Sequence, residues 1–406
     1  MYLPFLRTLC ARPDLAKHVK FVDLLYWWTE IHIVTGGYGP LEMEWEDFVM
    51  LSEKAVEMRI ISRVTLRQFR KQIRSQNDLV SLYEKSPFTA IDTETWPNVL
   101  PAISTKLDWL RNLGMATDDA QVILMLSLLP NLTCLRLFDT QNYSRLPWTN
   151  MIENSPHGFK KLQKFKGYQI QDSIFAELLQ LPTLRKIVAY GISDSCDDSD
   201  DPPWPWHCIE GTSNVEVMEL DGAYLHTTTM ERLLKSCASL KVFQYKVTTI
   251  VEPQLTNHKT IIPMLDHHRS SLEWVTMEFR PRLGHGVEED NTSLAQLYTG
   301  DRALANFKAL KCLDVDSELI IDASDPAPDC LIKNLPSNLV ALALTFRKVP
   351  EKQHHRCFES FALSVDNSHT KLREIFIRTY PEEHAKEGKD FVSLIARMFE
   401  MKGVSV

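Results

Sequence analysis

One short apolar pattern returns along most of the chain: an apolar residue, a second one three positions later and a third two positions after that. Its first residues, which we call anchors, occur nine times after residue 130: Leu132, Leu162, Leu184, Val215, Leu240, Leu272, Leu310, Leu339 and Leu372. The intervals between anchors range from 22 to 38 residues with a mean of 30. This spacing is typical of leucine-rich repeats, here irregular and without the asparagine that usually closes the pattern.

The pattern predicts one short strand per repeat. Its last two apolar residues are two positions apart and share a buried strand face, while the anchor leads the chain into the core. Segments with helical spacing precede several strands, at residues 120–129, 174–181, 230–237, 261–267 and 357–365. Core positions are predicted at Leu135, Leu184, Leu240, Leu272, Leu313, Leu342 and Leu372.

Strands that are each re-entered after a helical return pair in parallel, through right-handed crossovers. The predicted fold class is therefore α/β, an irregular leucine-rich-repeat solenoid. We expect a horseshoe with short parallel strands on the concave face and helices on the convex face.

The N-terminal quarter departs from this rhythm. Residues 1–24 read as a first repeat-like unit, because Val19, Val22 and Leu24 match the pattern after a short helix over 3–9. Residues 25–115 are predicted to be a helical insertion that caps the solenoid, with helices over 41–61, 62–83 and 103–113. The solenoid itself is predicted over 116–406.

Composition excludes several classes of protein. The chain is 44% hydrophobic and 24% charged, with a net charge of -8, which argues against a disordered chain and against a sequence-wide nucleic-acid footprint. No uncharged stretch is long enough to cross a bilayer. We expect an intracellular protein, cytoplasmic and/or nuclear, that binds neither nucleic acid nor membrane.

The motifs of catalysis and metal binding are missing from the sequence. Eight cysteines include no Cys-x-x-Cys pair, and the doublets His267-His268 and His354-His355 are interpreted as loop and surface residues. There is no nucleophile elbow and no phosphate-binding loop. The sequence predicts a binding protein rather than an enzyme, with no catalytic residues, no cofactor and no metal.

An acidic loop is predicted at residues 191–211. Asp194, Asp197, Asp198, Asp200 and Asp201 precede two tryptophans set among prolines, Trp204 and Trp206. The loop reads either as a solvated insertion with its tryptophans packed against the solenoid, or as a binding loop.

Residues two and four positions after each anchor point away from the core, so we predict that they line the concave face. Charge changes sign along this face, which suits a folded protein partner better than a uniform polyanion. The alternative is an ordinary surface. The predicted partner-binding residues are Arg136, Lys164, Lys166 and Lys186 as a basic patch, Glu219 and Asp314 (with Glu374) as an acidic part, and Trp274 and Phe376 as apolar contacts.

The N-terminal segment resembles the fungal F-box proteins with leucine-rich repeats, where a similar segment follows the F-box and opens the repeat array. The matching residues are Leu6, Thr8, Leu9, Arg12, Pro13, Leu15, Ala16 and Val19. The resemblance implies a substrate-recognition solenoid of a cullin-type ubiquitin ligase. An F-box would bind the Skp1 adaptor, so we expect Skp1 and cullin as partners only if an F-box precedes this sequence.

The sequence therefore predicts a protein–protein interaction scaffold that resembles the recognition region of an F-box ubiquitin-ligase subunit. The alternative is a stand-alone leucine-rich-repeat protein without a ligase role.

Overall fold

The computed structural model describes two compact units. The first is drawn from Met1–Ile170 and Leu181–Leu184, the second from Gln171–Gln180 and Arg185–Val406. The described residues are 2–24, 43–75, 77–78, 106–114, 118–138, 159–168, 172–192, 206, 208–223, 225–247, 258–279, 304–321, 326–346, 352–369, 371–379 and 385–406.

Three parallel strands form the sheet of the first unit: β1 (Phe21–Leu24), β2 (Cys134–Phe138) and β3 (Lys164–Tyr168). Val22 is opposite Leu135, and Leu135 is opposite Phe165, so these three buried side chains form one row in the core. β1 confirms that the predicted pattern at residues 19–24 forms a strand of the same kind.

The described residues of the first unit also contain six helices that pack against one another. They are α1 (Leu3–Ala11), α2 (Pro13–Ala16), α3 (Trp45–Glu57), α4 (Arg63–Gln72), α5 (Lys106–Gly114) and α6 (Asp118–Ser127). Each of the three helices predicted within residues 25–115 overlaps a helix of the described residues: α3, α4 and α5. α4 begins after Ser62, whose hydroxyl accepts a hydrogen bond from the Thr65 amide at 3.0 Å and so caps the helix.

Seven parallel strands form the sheet of the second unit, paired in chain order: β4 (Lys186–Tyr190), β5 (Val217–Asp221), β6 (Val242–Val247), β7 (Trp274–Phe279), β8 (Cys312–Asp316), β9 (Ala341–Phe346) and β10 (Glu374–Thr379). The register aligns one fully buried side chain from each strand: Ile187, Met218, Phe243, Val275, Leu313, Leu342 and Ile375. This row is the centre of the second core.

The helices of the second unit are interspersed with its strands in sequence, from one before β4 to one after β10. They are α7 (Asp172–Leu179), α8 (Thr227–Ser236), α9 (His258–Leu265), α10 (Cys330–Asn334), α11 (Lys352–Ser368) and α12 (Ala385–Glu400). After α12 the chain returns to the sheet, where the Ile375 amide donates to the Ser405 carbonyl and the Ser405 amide donates to the Arg373 carbonyl, both at 2.8 Å. The C-terminal residues thereby cover part of the outer edge of β10.

Two buried histidines, each in a turn that leads into a strand of the second unit, form hydrogen bonds with backbone groups of the preceding repeat. His268 Nε2 lies 2.9 Å from the Leu234 carbonyl, and its Nδ1 accepts from the Leu240 amide at 3.4 Å. His369 Nε2 lies 3.4 Å from the Leu335 carbonyl. Burial lowers the pKa of both imidazoles from their usual value. Each ring is therefore held neutral as a cross-link between successive repeats.

This finding corrects the interpretation of the histidine doublets as loop and surface residues. His267 is exposed, as expected, but His268 is buried. His354 and His355 lie in α11 and contact the rings of Phe346 and Phe391, with centroid distances of 5.8 and 5.0 Å. The sequence pattern could not reveal these roles, because each ring is held by residues from another repeat.

The predicted fold class is confirmed: the protein is an α/β leucine-rich-repeat solenoid, and within each unit every described strand pairs in parallel with its neighbours. All seven core leucines predicted from the pattern are buried, at 0 or 1% exposure. The nine patterns after residue 130 form the nine strands β2 to β10.

Candidate functional site

Side chains that alternate with the core residues lie on the opposite side of each sheet. We call this surface in each unit its strand face. The first-unit strand face carries Phe21, Asp23, Cys134, Arg136, Lys164, Lys166 and Tyr168. The second-unit strand face has three rows across the strands: first Lys186, Val217, Val242, Trp274, Cys312, Ala341 and Glu374; second Val188, Glu219, Gln244, Thr276, Asp314, Ala343 and Phe376; third Tyr190, Asp221, Lys246, Glu278, Asp316, Thr345 and Arg378.

All eight predicted partner-binding residues lie on these two strand faces. Three of them (Arg136, Lys164 and Lys166) belong to the first unit and the other five to the second. Val188, Thr276 and Ala343 lie at outward positions as predicted, but they are buried.

The first-unit strand face is built around Tyr168. Arg136 donates a hydrogen bond to the Tyr168 hydroxyl at 3.0 Å and forms an ion pair with Asp23 at 3.1 Å. The hydrogen bond that Arg136 donates to Tyr168 and the charge of Asp23 raise the pKa of Arg136 against the opposing effect of burial. The Lys166 ammonium lies 5.7 Å from the centroid of the Tyr168 ring, within the range of a cation–π contact. Three cations thus share this small surface with one carboxylate.

Lys186 differs from the other predicted cations because it belongs to the second unit and forms an ion pair there. Its ammonium lies 2.5 Å from the carboxylate of Glu219 on the next strand of the second unit. The pair neutralises one predicted member of the basic patch with one predicted member of the acidic part. A cross-strand ion pair of this kind is worth about 0.2–1 kcal/mol.

Asp314 is also paired, with a residue that the sequence analysis did not select. Arg378 Nη1 lies 3.0 and 3.2 Å from the two carboxylate oxygens of Asp314. Burial raises the pKa of Asp314, and the charge and hydrogen bonds of Arg378 oppose that rise. Arg378 reaches Asp314 from two strands away, because β9 carries only the small Ala343 between them.

Trp274 is the largest apolar side chain on the second-unit strand face, and 49% of it is exposed. Its indole Nε1 donates to the Thr276 hydroxyl at 3.0 Å, on the same strand and the same face. The hydrogen bond fixes the ring along β7, which reduces the entropy that a partner would lose in ordering it. Phe376, on β10, is also 49% exposed.

The third row of the second-unit strand face was missed. It supplies Arg378 for Asp314, and Lys246, whose ammonium lies 3.7 Å from the Glu278 carboxylate. The signal was present in the sequence, since these residues occur six positions after an anchor, where the alternation of the strand continues for one more step.

Most of the acidic loop lies outside the described residues, including its five aspartates and Trp204. Trp206 is described: its Nε1 donates to the Ser236 hydroxyl of α8 at 3.2 Å, and its indole is half-buried. This contact agrees with the packed reading of that tryptophan, and both readings of the loop as a whole remain predictions.

No protein-family model matches the sequence, and no curated protein is significantly similar to it. Among solved structures, an internalin (inlF) from Listeria monocytogenes matches with 13% identity and a TM-score of 0.32, over 65% of this chain and 61% of that chain. The complex of Rad7 and Elc1 in yeast matches with 12% identity and a TM-score of 0.33, over 87% of this chain and 84% of that chain. The assignment of the fold rests on this chain's own strand pairings.

The described residues contain neither a membrane-spanning helix nor a cluster of metal-binding side chains. None of the helices they contain is long and apolar enough to cross a membrane. No group of three or more His, Cys, Asp or Glu side chains in these parts of the chain is placed to hold a metal ion.

Proposed function

We propose that this protein is a protein–protein interaction scaffold whose strand faces bind partner proteins. The observation that carries the proposal is Trp274, an indole that is half exposed and yet fixed in orientation by Thr276. Tryptophan is enriched among the residues that dominate interface energies.

The charges around Trp274 support the same function. Most cations of the second-unit strand face are tied to carboxylates on other strands, as in the pairs of Lys186 with Glu219 and Arg378 with Asp314. Such pairs hold long side chains in defined positions, so a partner would meet an ordered surface. An ordered surface lowers the entropic cost of binding.

Site-specific photo-crosslinking tests the proposal. Benzoylphenylalanine replaces Phe376 on the second-unit strand face, and in a matched control it replaces Leu363, which is 73% exposed on α11. We expect discrete crosslinked partners in an extract of the source cells from position 376, and their loss when Trp274→Ala is added. Crosslinks from position 363 alone, or crosslinks insensitive to Trp274→Ala, would contradict the proposal.

A finer form of the proposal is a recognition subunit of a cullin-type ubiquitin ligase. It rests on the residues matched at the N-terminus, of which Leu6, Leu9 and Ala16 are buried and Pro13 begins α2. Recovery of Skp1 and a cullin with the tagged protein would support this form. Recovery of a different partner without them would favour the stand-alone scaffold.

A further inference from the structure

The strand register of the second unit places two small side chains between two large ones, which leaves a recess on the strand face. Trp274 of β7 stands on one side and Glu374 of β10 on the other, and the two strands between them carry only Cys312 and Ala341 in the same row. We call this the Trp274–Glu374 recess. Neighbouring strands are about 4.8 Å apart, so three strand intervals separate its two sides by about 14 Å.

Glu374 brings a negative charge to this recess. Its side chain is exposed and makes no ion pair within the part of the chain that the structure describes. Its charge acts on Cys312 at the bottom of the recess: burial, followed by the charge of Glu374, raises the pKa of the Cys312 thiol, and the charge of Lys311 opposes that rise. Glu374 therefore differs from Glu219 and Asp314, whose charges are already balanced by neighbours.

The surrounding surface has the same sign. The second-unit strand face holds six carboxylates against three cations: Glu219, Asp221, Glu278, Asp314, Asp316 and Glu374 against Lys186, Lys246 and Arg378. Glu278 and Asp316 are buried, so four carboxylates with exposed or half-buried side chains stand against the three cations. A formally negative surface attracts a positively charged partner. Phe376, two residues after Glu374 on the same face, adds an exposed ring against which the stem or charge of a lysine or arginine can pack.

We propose that the Trp274–Glu374 recess binds an extended segment of a partner protein, with an apolar residue against Trp274 and a lysine or arginine four residues away against Glu374. The inference rests on the proposed function and adds the chemical class of the partner. An extended chain rises about 3.3 Å per residue, so four residues cover about 13 Å, and residues four apart point to the same side.

A helical segment fits this recess less well. Four residues of an α-helix advance only about 6 Å, less than half of the separation between the two sides. An acidic segment would place its charge against Glu374 and the net negative face, at a cost in affinity.

Peptide selection tests the spacing and the charge together. Random 12-residue peptides displayed on phage are selected on the full-length protein and counter-selected on its Trp274→Ala variant. We expect enriched sequences to carry a lysine or arginine four positions from an apolar residue. Enrichment of acidic sequences, of another spacing, or of nothing beyond what the variant also recovers would overturn the inference.

Fluorescence anisotropy of the best-enriched peptide measures each contact. We expect Trp274→Ala to weaken binding by about 30-fold, because truncating a central tryptophan costs about 2 kcal/mol. Glu374→Gln is expected to weaken it by about fivefold, as suits an exposed ion pair. The matched control Glu359→Gln, an exposed carboxylate on α11, should change nothing.

A charge exchange separates recognition from damage to the fold. Glu374→Lys should reject the basic peptide and accept the same peptide with glutamate in place of its basic residue. If Glu374→Lys leaves the preference for the basic peptide intact, the charge of Glu374 does not select the partner and the inference fails.

Failure of this inference can be told apart from failure of the proposed function. One outcome would overturn the inference and leave the proposed scaffold function supported: Trp274-dependent crosslinks from position 376, combined with selected peptides that lack the basic residue. Absence of both the crosslinks and the selected peptides would contradict the two proposals together.

Discussion

The two strand faces are built on the same repeat geometry and carry opposite charge. The first-unit strand face sets Arg136, Lys164 and Lys166 against the single carboxylate of Asp23. The second-unit strand face has twice as many carboxylates as cations, and its exposed aromatic rings are Trp274 and Phe376.

This difference teaches which positions the repeat constrains. The inward row is apolar in both units, because each strand must bury that face against its helices. The outward rows carry no such requirement, so their charges and rings are free to differ between units. The residues that select a partner therefore lie in the outward rows. If the two units are independent, a substitution in one should leave the stability and the partner binding of the other unchanged.

The largest expected effect concerns the cores. Leu342→Ala removes a fully buried side chain between Leu313 and Ile375, and should cost about 2–5 kcal/mol of unfolding free energy. Hydrogen exchange followed by mass spectrometry should show faster exchange in the second unit. Leu135→Ala is the matched change in the first unit. Equal loss of protection in both units from either variant would show that they unfold together.

The next effect concerns the aromatic anchor of the second unit. We take as ligand a partner protein that crosslinking at position 376 has identified. Trp274→Ala should speed the dissociation of this partner by about 30-fold, with little change in its association rate. Surface plasmon resonance with the identified partner measures both rates. Phe21→Ala, which removes an exposed ring from the first-unit strand face, is the comparison. A larger effect from Phe21→Ala would move the main contact to the first unit.

Acid should weaken the second unit more than the first. The folded pKa values of His268 and His369 lie below the unfolded value of about 6.5, so the unfolded state binds more protons as the pH falls. The stability they contribute is complete above pH 6.5 and is lost as the pH drops below it towards their folded pKa values, by up to about 1.4 kcal/mol per pH unit for each histidine.

Hydrogen exchange between pH 7 and pH 5, corrected for the intrinsic exchange rate, checks this difference. Within the described residues, the first unit contains only His18, which is exposed. The double variant His268→Gln, His369→Gln should flatten the pH dependence of the second unit, whatever its absolute stability. An unchanged slope in that variant would assign the pH dependence to other groups.

The smallest effect concerns the cations of the first unit. Charge reversal by Lys164→Glu and Lys166→Glu should slow association with an acidic partner by about tenfold at low salt and reduce the salt dependence of the rate. Stopped-flow mixing at several salt concentrations measures it. Dissociation should stay nearly constant, and an effect confined to dissociation would contradict a steering role for these lysines.

A good part of the fold could be read from the sequence. The anchors located nine strands, the match at Val19, Val22 and Leu24 located a tenth, and the predicted core leucines are buried. The alternation of apolar and polar residues was sufficient to locate the strands, because residues two positions apart point to the same face of a strand and are apolar where that face is buried.

The candidate site could be read only in part. Positions two and four after each anchor gave the correct face for Trp274 and Phe376, but they suggested four cations in one patch. Lys186 instead lies beside Glu219, 33 residues away in sequence. Side-chain pairing across strands depends on the register and on the length of each side chain, and neither is visible in a single repeat.

The sequence by itself determined which residues face the core. The hydrophobic effect acts on every repeat in the same way, so apolar residues recur at regular positions along the sequence. Tertiary structure alone decided which outward charges are already balanced. Arg378 meets Asp314 across 64 residues of chain because Ala343 leaves room, and His268 joins Leu234 and Leu240 of the preceding repeat. These contacts follow from distances between repeats, which no local pattern encodes.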